Sequence, residues 1–182
     1  MARYVALLRG INVGGNNVIR MADLRACLEA DEFDDVRTYI QSGNVVFTAS
    51  GSSPTITARL ERTLSAGFGY EATVVVRSAR QLRAIVDAAP EGFGVDRERF
   101  RSDVLFLMPR LTPARAIGDV PTREGVDRAW TGPGVLYFER LDARAAQSRL
   151  SKIVSLPIYR SLTIRNWTTN CRLLEMLETR ED

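Results

Sequence analysis

The stretch Tyr39–Phe47, YIQSGNVVF, decides the fold when it is read with Gly10–Asn17, GINVGGNN. The first ends in three apolar residues, Val45-Val46-Phe47, that suit a strand. Ser42-Gly43 before them suits a two-residue hairpin turn, because glycine accepts positive φ. The strand that leads into that turn is Val36 to Ile40, and the one that leaves it is Val45 to Thr48. The glycine-rich stretch lies between an apolar segment at 3–9, read as a strand, and a helix at 21–30. That helix is predicted by Met21, Leu24, Cys27 and Leu28 at amphipathic spacing.

The same reading carries outward. Pro54 suits a first helical turn, and Ile56, Leu60 and Leu64 continue that helix. Glu71–Arg77 is a strand. The order is then β-α-β-β-α-β, the ferredoxin-like pattern. The second half repeats it: a helix at 79–89, a polar loop from Pro90 to Arg101, a strand at 103–108 and a short helix opened by Thr112-Pro113. A hairpin at 126–130 and 135–140 turns around Thr131–Gly134. A helix near 143–150, a strand at 161–165 and a helix at about 167–180 complete the chain.

The predicted class is α+β, with two tandem ferredoxin-like (βαββαβ) repeats packed into one compact unit. Residues 1–78 form the first and 79–182 the second, with extra helices. Apolar residues stand at consecutive positions in 45–47, 74–76 and 104–108. Strands that are apolar on both sides of the pleat require cover on both faces. An open RNA-binding sheet, which needs aromatics on a free face, is disfavoured.

Composition narrows the chemistry. The chain has 182 residues and no histidine. That removes the commonest general base, the usual catalytic triads and most transition-metal sites. Cys27 and Cys171 stand at helical spacing with apolar neighbours and read as small buried hydrophobes. No metal and no cofactor is expected. No apolar run reaches 18 residues, so no membrane span is predicted. MARYVALLRG reads as a strand rather than a signal peptide, and the expected location is the cytoplasm. The net charge of +3 is almost all arginine against interspersed acids. This is a weak argument for nucleic acid as a partner. Oligomeric state is left open.

The segments LLRGINVGGNN, TYIQSGNVVF and TIRNWTTNCRLLEM together resemble the bacterial family known as domain of unknown function 1697. The resemblance spans essentially the whole chain. It implies the α+β fold with two ferredoxin-like subdomains and implies no activity. Relatives often carry lysine where this chain has Asn16.

Three candidates for a site follow from the residues. Gly10–Asn17 joins a strand to a helix, where backbone N–H groups can hold an anion. It matches neither the dinucleotide fingerprint nor the P-loop, and its glycines also suit a purely conformational role. Gln41–Asn44 could contact a ligand or only satisfy the turn. Arg165-Asn166-Trp167 places a guanidinium at a strand end beside Asn166, a candidate N-cap of the last helix.

The expected ligand is a small anionic or phosphorylated molecule. Its site would comprise Arg9, Asn12, Gly14, Gly15 and Asn16, with Arg165 and Asn166 sharing a cleft with them. A nucleic-acid or protein interaction module, and a structural accessory protein, are the alternatives. The run Arg97, Arg99, Arg101 reads as a solvated loop, and Trp130 and Tyr137 as packing.

Overall fold

Short runs of consecutive apolar residues, punctuated by Gly, Pro and Asn, build two four-stranded antiparallel sheets in the computed structural model, which describes residues 1–15 and 17–179. The class is α+β. Among the described residues, the first unit comprises 1–82 together with 173–179, and the second comprises Arg83–Arg172. The division falls at 82/83, and residues 173–179 group with the first unit.

In the first unit, β1 (Ala2–Leu8), α1 (Met21–Ala30), β2 (Asp34–Tyr39), β3 (Asn44–Ala49), α2 (Ser53–Phe68) and β4 (Val74–Ser78) follow one another. The strand order is β2-β3-β1-β4. Leu24 and Leu28 of α1 and Ile56, Leu60 and Leu64 of α2 pack on Tyr4, Ala6, Leu8, Val45, Phe47, Val74 and Val76. The oxygen of Ser52 caps α2, and Gly69 ends it at φ 67°, the left-handed stop that glycine tolerates.

The hairpin differs from the expected two-residue turn. Tyr39 pairs with Asn44, so residues 40–43 form a four-residue loop with Ile40 and Gly43 at positive φ. The Asn44 amide holds it, donating to the Tyr39 carbonyl at 3.1 Å and to the Ser42 hydroxyl at 2.8 Å.

The second unit begins within α3 (Ala79–Asp87) and continues through β5 (Phe100–Leu107), α4 (Pro113–Asp119), β6 (Asp127–Gly132), β7 (Val135–Leu141), β8 (Leu162–Asn166) and the first turns of α5 (Trp167–Glu178). Its strand order is β6-β7-β5-β8. Gly132 pairs with Val135, leaving Pro133-Gly134 as a two-residue turn.

The helix expected at 143–150 is absent. In its place are three 3₁₀ turns, Asp142–Gln147, Leu150–Ser155 and Pro157–Ser161. Serines at 148, 151 and 155 compete for backbone groups, and Pro157 cannot continue a helix. Arg144 also breaks the spiral, at φ −121°.

Strands with consecutive apolar residues are buried on both faces, at the sheet edge as well as in its middle: Val75 of the edge strand β4 is 3% exposed, and Phe106 of the central strand β5 is fully buried. Cys27 and Cys171 are half-buried rather than fully so.

Tyr137 shows how the second unit's aromatics are fixed. Its hydroxyl donates to the Ile85 carbonyl, and burial pushes its pKa up to about 12. Tyr137→Phe leaves that buried carbonyl without a donor, at a cost of about 1–2 kcal/mol in chemical denaturation. Because the folded pKa lies above the ordinary value, this tyrosine's contribution is complete below about pH 10. It is lost as pH rises through about 12. The Phe variant is therefore expected to show a shallower loss of stability over that alkaline interval.

Candidate functional site

The first unit brings together two of the stretches singled out in the sequence. Leu8 N–H donates to the Gly43 carbonyl at 2.8 Å. The Asn12 amide donates to the carbonyls of Gln41 at 2.8 Å and Ile19 at 3.0 Å, and its oxygen accepts from Ile19 N–H at 2.8 Å. Asn17 closes the loop on the Gly10 carbonyl. Asn12 is thus the staple of the glycine-rich loop, with both ends of its amide committed.

Gly14 and Gly15 form an exposed tip at positive φ, and Arg9 is half-buried at the loop's start. Asn16 lies outside the described residues. Arg165 and Asn166 belong to the second unit.

Arg165 and Asn166 point to opposite faces of their sheet, since successive strand residues do. Arg165 stands opposite Val104 and donates to Thr163 Oγ1 at 3.1 Å and to the Ile164 carbonyl at 2.8 Å. Burial lowers its pKa to about 10. Asn166 caps α5 as expected, its side-chain oxygen accepting from Thr169 N–H at 2.7 Å.

A cavity of about 370 Å³ opens at the start of α5. Asn166, Trp167 and Thr168 supply the helix start, and Arg97, Arg101 and Arg140 supply three guanidinium groups. Asp103 is the one carboxylate among its lining residues. It pairs with Arg140 at 3.4 Å. Burial raises its pKa, while Arg140 and Arg101 pull the other way. Arg101 also pairs with Asp142.

The aromatic wall is held from behind. Phe93 makes edge contacts with Trp130, Tyr137 and Trp167, at 6.1, 5.3 and 5.2 Å between centroids. Trp130 and Tyr137 are therefore packing residues, as read. Glu139 is 3% exposed and accepts from Ser102 at 2.8 Å and from Gly94 N–H at 3.4 Å. It also pairs with Arg128.

The sequence reading put Asn166 in a cleft with the glycine-rich loop and did not group it with Arg97, Arg101, Asp103 or Arg140. Arg97 and Arg101 do not merely border a solvated loop; they line this cavity. The signal that could have found them is register. Arg101 stands opposite Arg140, and Asp103 opposite Asn166, so all four share one face at one end of the sheet. Among the described residues, no cluster of three His, Cys, Asp or Glu could hold a metal ion. No helix among them is long and apolar enough to cross a membrane.

The chain belongs to the family described as "Protein of unknown function (DUF1697)", whose model matches residues 1–137. Arg140 and Asn166–Thr168 lie beyond the matched stretch. The solved structure of the conserved bacterial protein SP0830 from Streptococcus pneumoniae is 27% identical, with a TM-score of 0.84, over 97% of this chain and 98% of that chain. No curated protein matches the chain.

Proposed function

We propose that this member of the DUF1697 family binds a small anionic or phosphorylated ligand in the second unit, at the start of α5. The observation that carries the reading is the cavity in which Arg97, Arg101 and Arg140 meet the first residues of a twelve-residue helix. Guanidinium groups fork to phosphate or carboxylate oxygens. A helix start adds N–H donors and a favourable dipole. The half-buried Trp167 and Phe100 give one wall a flat apolar surface. The first unit's loop, with Arg9, Gly14 and Gly15, is the weaker anion candidate, because the Asn12 side chain is spent on holding the loop itself.

We also read each sheet as a ferredoxin-like repeat. Supporting this, a valine of the first strand faces an arginine of the fourth in both: Val5 with Arg77, and Val104 with Arg165. Each arginine donates to the carbonyl of the residue before it, and burial lowers the pKa of both. The same reading places the protein in the cytoplasm, where a free thiol such as Cys27 persists.

Isothermal titration with sulfate, whose charge is constant over the working range, tests the anion site. Arg101→Ala is expected to weaken binding by roughly tenfold or more, as loss of a charge-assisted hydrogen bond does. Asp103→Asn is expected to strengthen it, by roughly tenfold, through removal of the one carboxylate that lines the cavity. In the unmodified protein, sulfate affinity is expected to rise as pH falls through the elevated titration of Asp103. The Asn variant should lack that dependence. Sulfate affinity indifferent to both substitutions would sink the site.

A further inference from the structure

Resting on that anion site, we propose that the ligand is an amphiphile: an acidic head carried on an unbranched or lightly branched apolar chain. The argument begins with the uneven cover of the second unit's sheet. In the first unit the sixteen-residue α2 lays Ile56, Leu60 and Leu64 along its sheet. In the second, the corresponding cover is the three 3₁₀ turns between Asp142 and Ser161. Leu150, Ile153 and Ile158 from these turns reach the core over Leu105, Leu136 and Phe138. Short 3₁₀ pieces do not present a continuous apolar stripe.

The consequence is a second cavity, of about 430 Å³, lined on its apolar side by Leu150, Ile153, Val154 and Ile164. Val154 is 61% exposed at this opening.

The two cavities adjoin: Asp103 and Arg140, paired at 3.4 Å, line both. Arg101, Asp103 and Ile164 all project from the same sheet face, because Leu105 pairs with Ile164 and Asp103 with Asn166. A ligand lying along that face meets guanidinium groups and a helix start at one end and aliphatic side chains at the other. The volumes, 370 and 430 Å³, each fall within the range of about 300–1,000 Å³ typical of small-molecule sites. A purely polar anion would leave the second cavity unused, and a purely apolar ligand would lie against three guanidinium groups at its other end.

The experiment is a titration series with inorganic phosphate and butyl, hexyl and octyl phosphate, each below its aggregation limit. If the chain enters the second cavity, affinity is expected to rise about fourfold per methylene until the cavity is filled. Val154→Asp puts a carboxylate at the apolar opening and is expected to flatten that rise. Inorganic phosphate bound with no gain along the series overturns the amphiphile and leaves the anion site standing. A rising series that Val154→Asp does not flatten overturns the placement of the chain in this cavity. Failure of every member of the series to bind overturns the anion reading beneath both.

Discussion

Gly94→Ala lowers the melting temperature by roughly 6–12 °C, as expected for a loss of about 3 kcal/mol in a chain of this size. Two costs combine. Gly94 sits at φ 71°, where a residue with a Cβ pays about 1–2 kcal/mol. The added methyl would also stand 2.0 Å from Cδ1 and 2.5 Å from Nε1 of Trp167, so the indole must leave. It cannot leave cheaply, because its other side is packed edge-on against Phe93. Overpacking of this kind costs about 1–3 kcal/mol.

The displaced ring is a wall of the cavity, and the neighbouring Gly94 N–H is a donor to buried Glu139. Sulfate affinity is therefore expected to fall together with stability. Thermal unfolding and titration of the same sample check both. An unchanged melting temperature would mean that Trp167 moves aside freely and that the cavity wall is soft.

Gly94 also marks where sequence reading ran out. It lies in a polar stretch, Pro90–Arg101, that offers no periodicity, and nothing local announces that an indole from residue 167 covers it. The strands and long helices were legible because their apolar residues repeat at the period of the element: Leu24 with Leu28, and Ile56 with Leu60 and Leu64, are all buried as read. The demand for two-sided burial at Val75 and Phe106 was legible from a different signal, apolar residues at consecutive positions.

The segment 142–161 was not legible. Its apolar residues stand at spacings that an α-helix could also use, and the serines and Pro157 decided against one. The candidate site divides in the same way. Asn166 was found because a cap is a local rule. Arg101, Asp103 and Arg140 were not grouped, because their proximity follows from the pairing of β5 with β7, some forty residues apart in the chain.

Gly43 offers the sharpest separation of two roles that sequence alone confounds, conformational freedom and lack of bulk. In the sequence it reads as a residue chosen for positive φ, and it does sit at φ 72°. Gly14, in the neighbouring glycine-rich loop, sits at φ 58°. A Cβ on Gly14 would meet nothing within 4 Å, whereas one on Gly43 would stand 2.7 Å from Cδ1 of Ile11 and 2.8 Å from Cβ of Leu8. The end of Ile11 can rotate, but the Leu8 Cβ is fixed to β1, whose backbone N–H is bonded to Gly43 itself.

Gly14→Ala is therefore expected to cost only the left-handed penalty, about 1–2 kcal/mol. Gly43→Ala adds to that penalty the cost of prying the hairpin from β1, for a total of about 3–4 kcal/mol. Chemical denaturation of the two variants side by side reads the difference directly. Equal losses would mean that Gly43 serves only its turn. A loss at Gly43 about twice that at Gly14 or more would mean that the hairpin and the glycine-rich loop are joined by close approach, one supporting the other. The pairing of YIQSGNVVF with GINVGGNN in this chain then has a structural cause that holds whether or not the loop also meets a ligand.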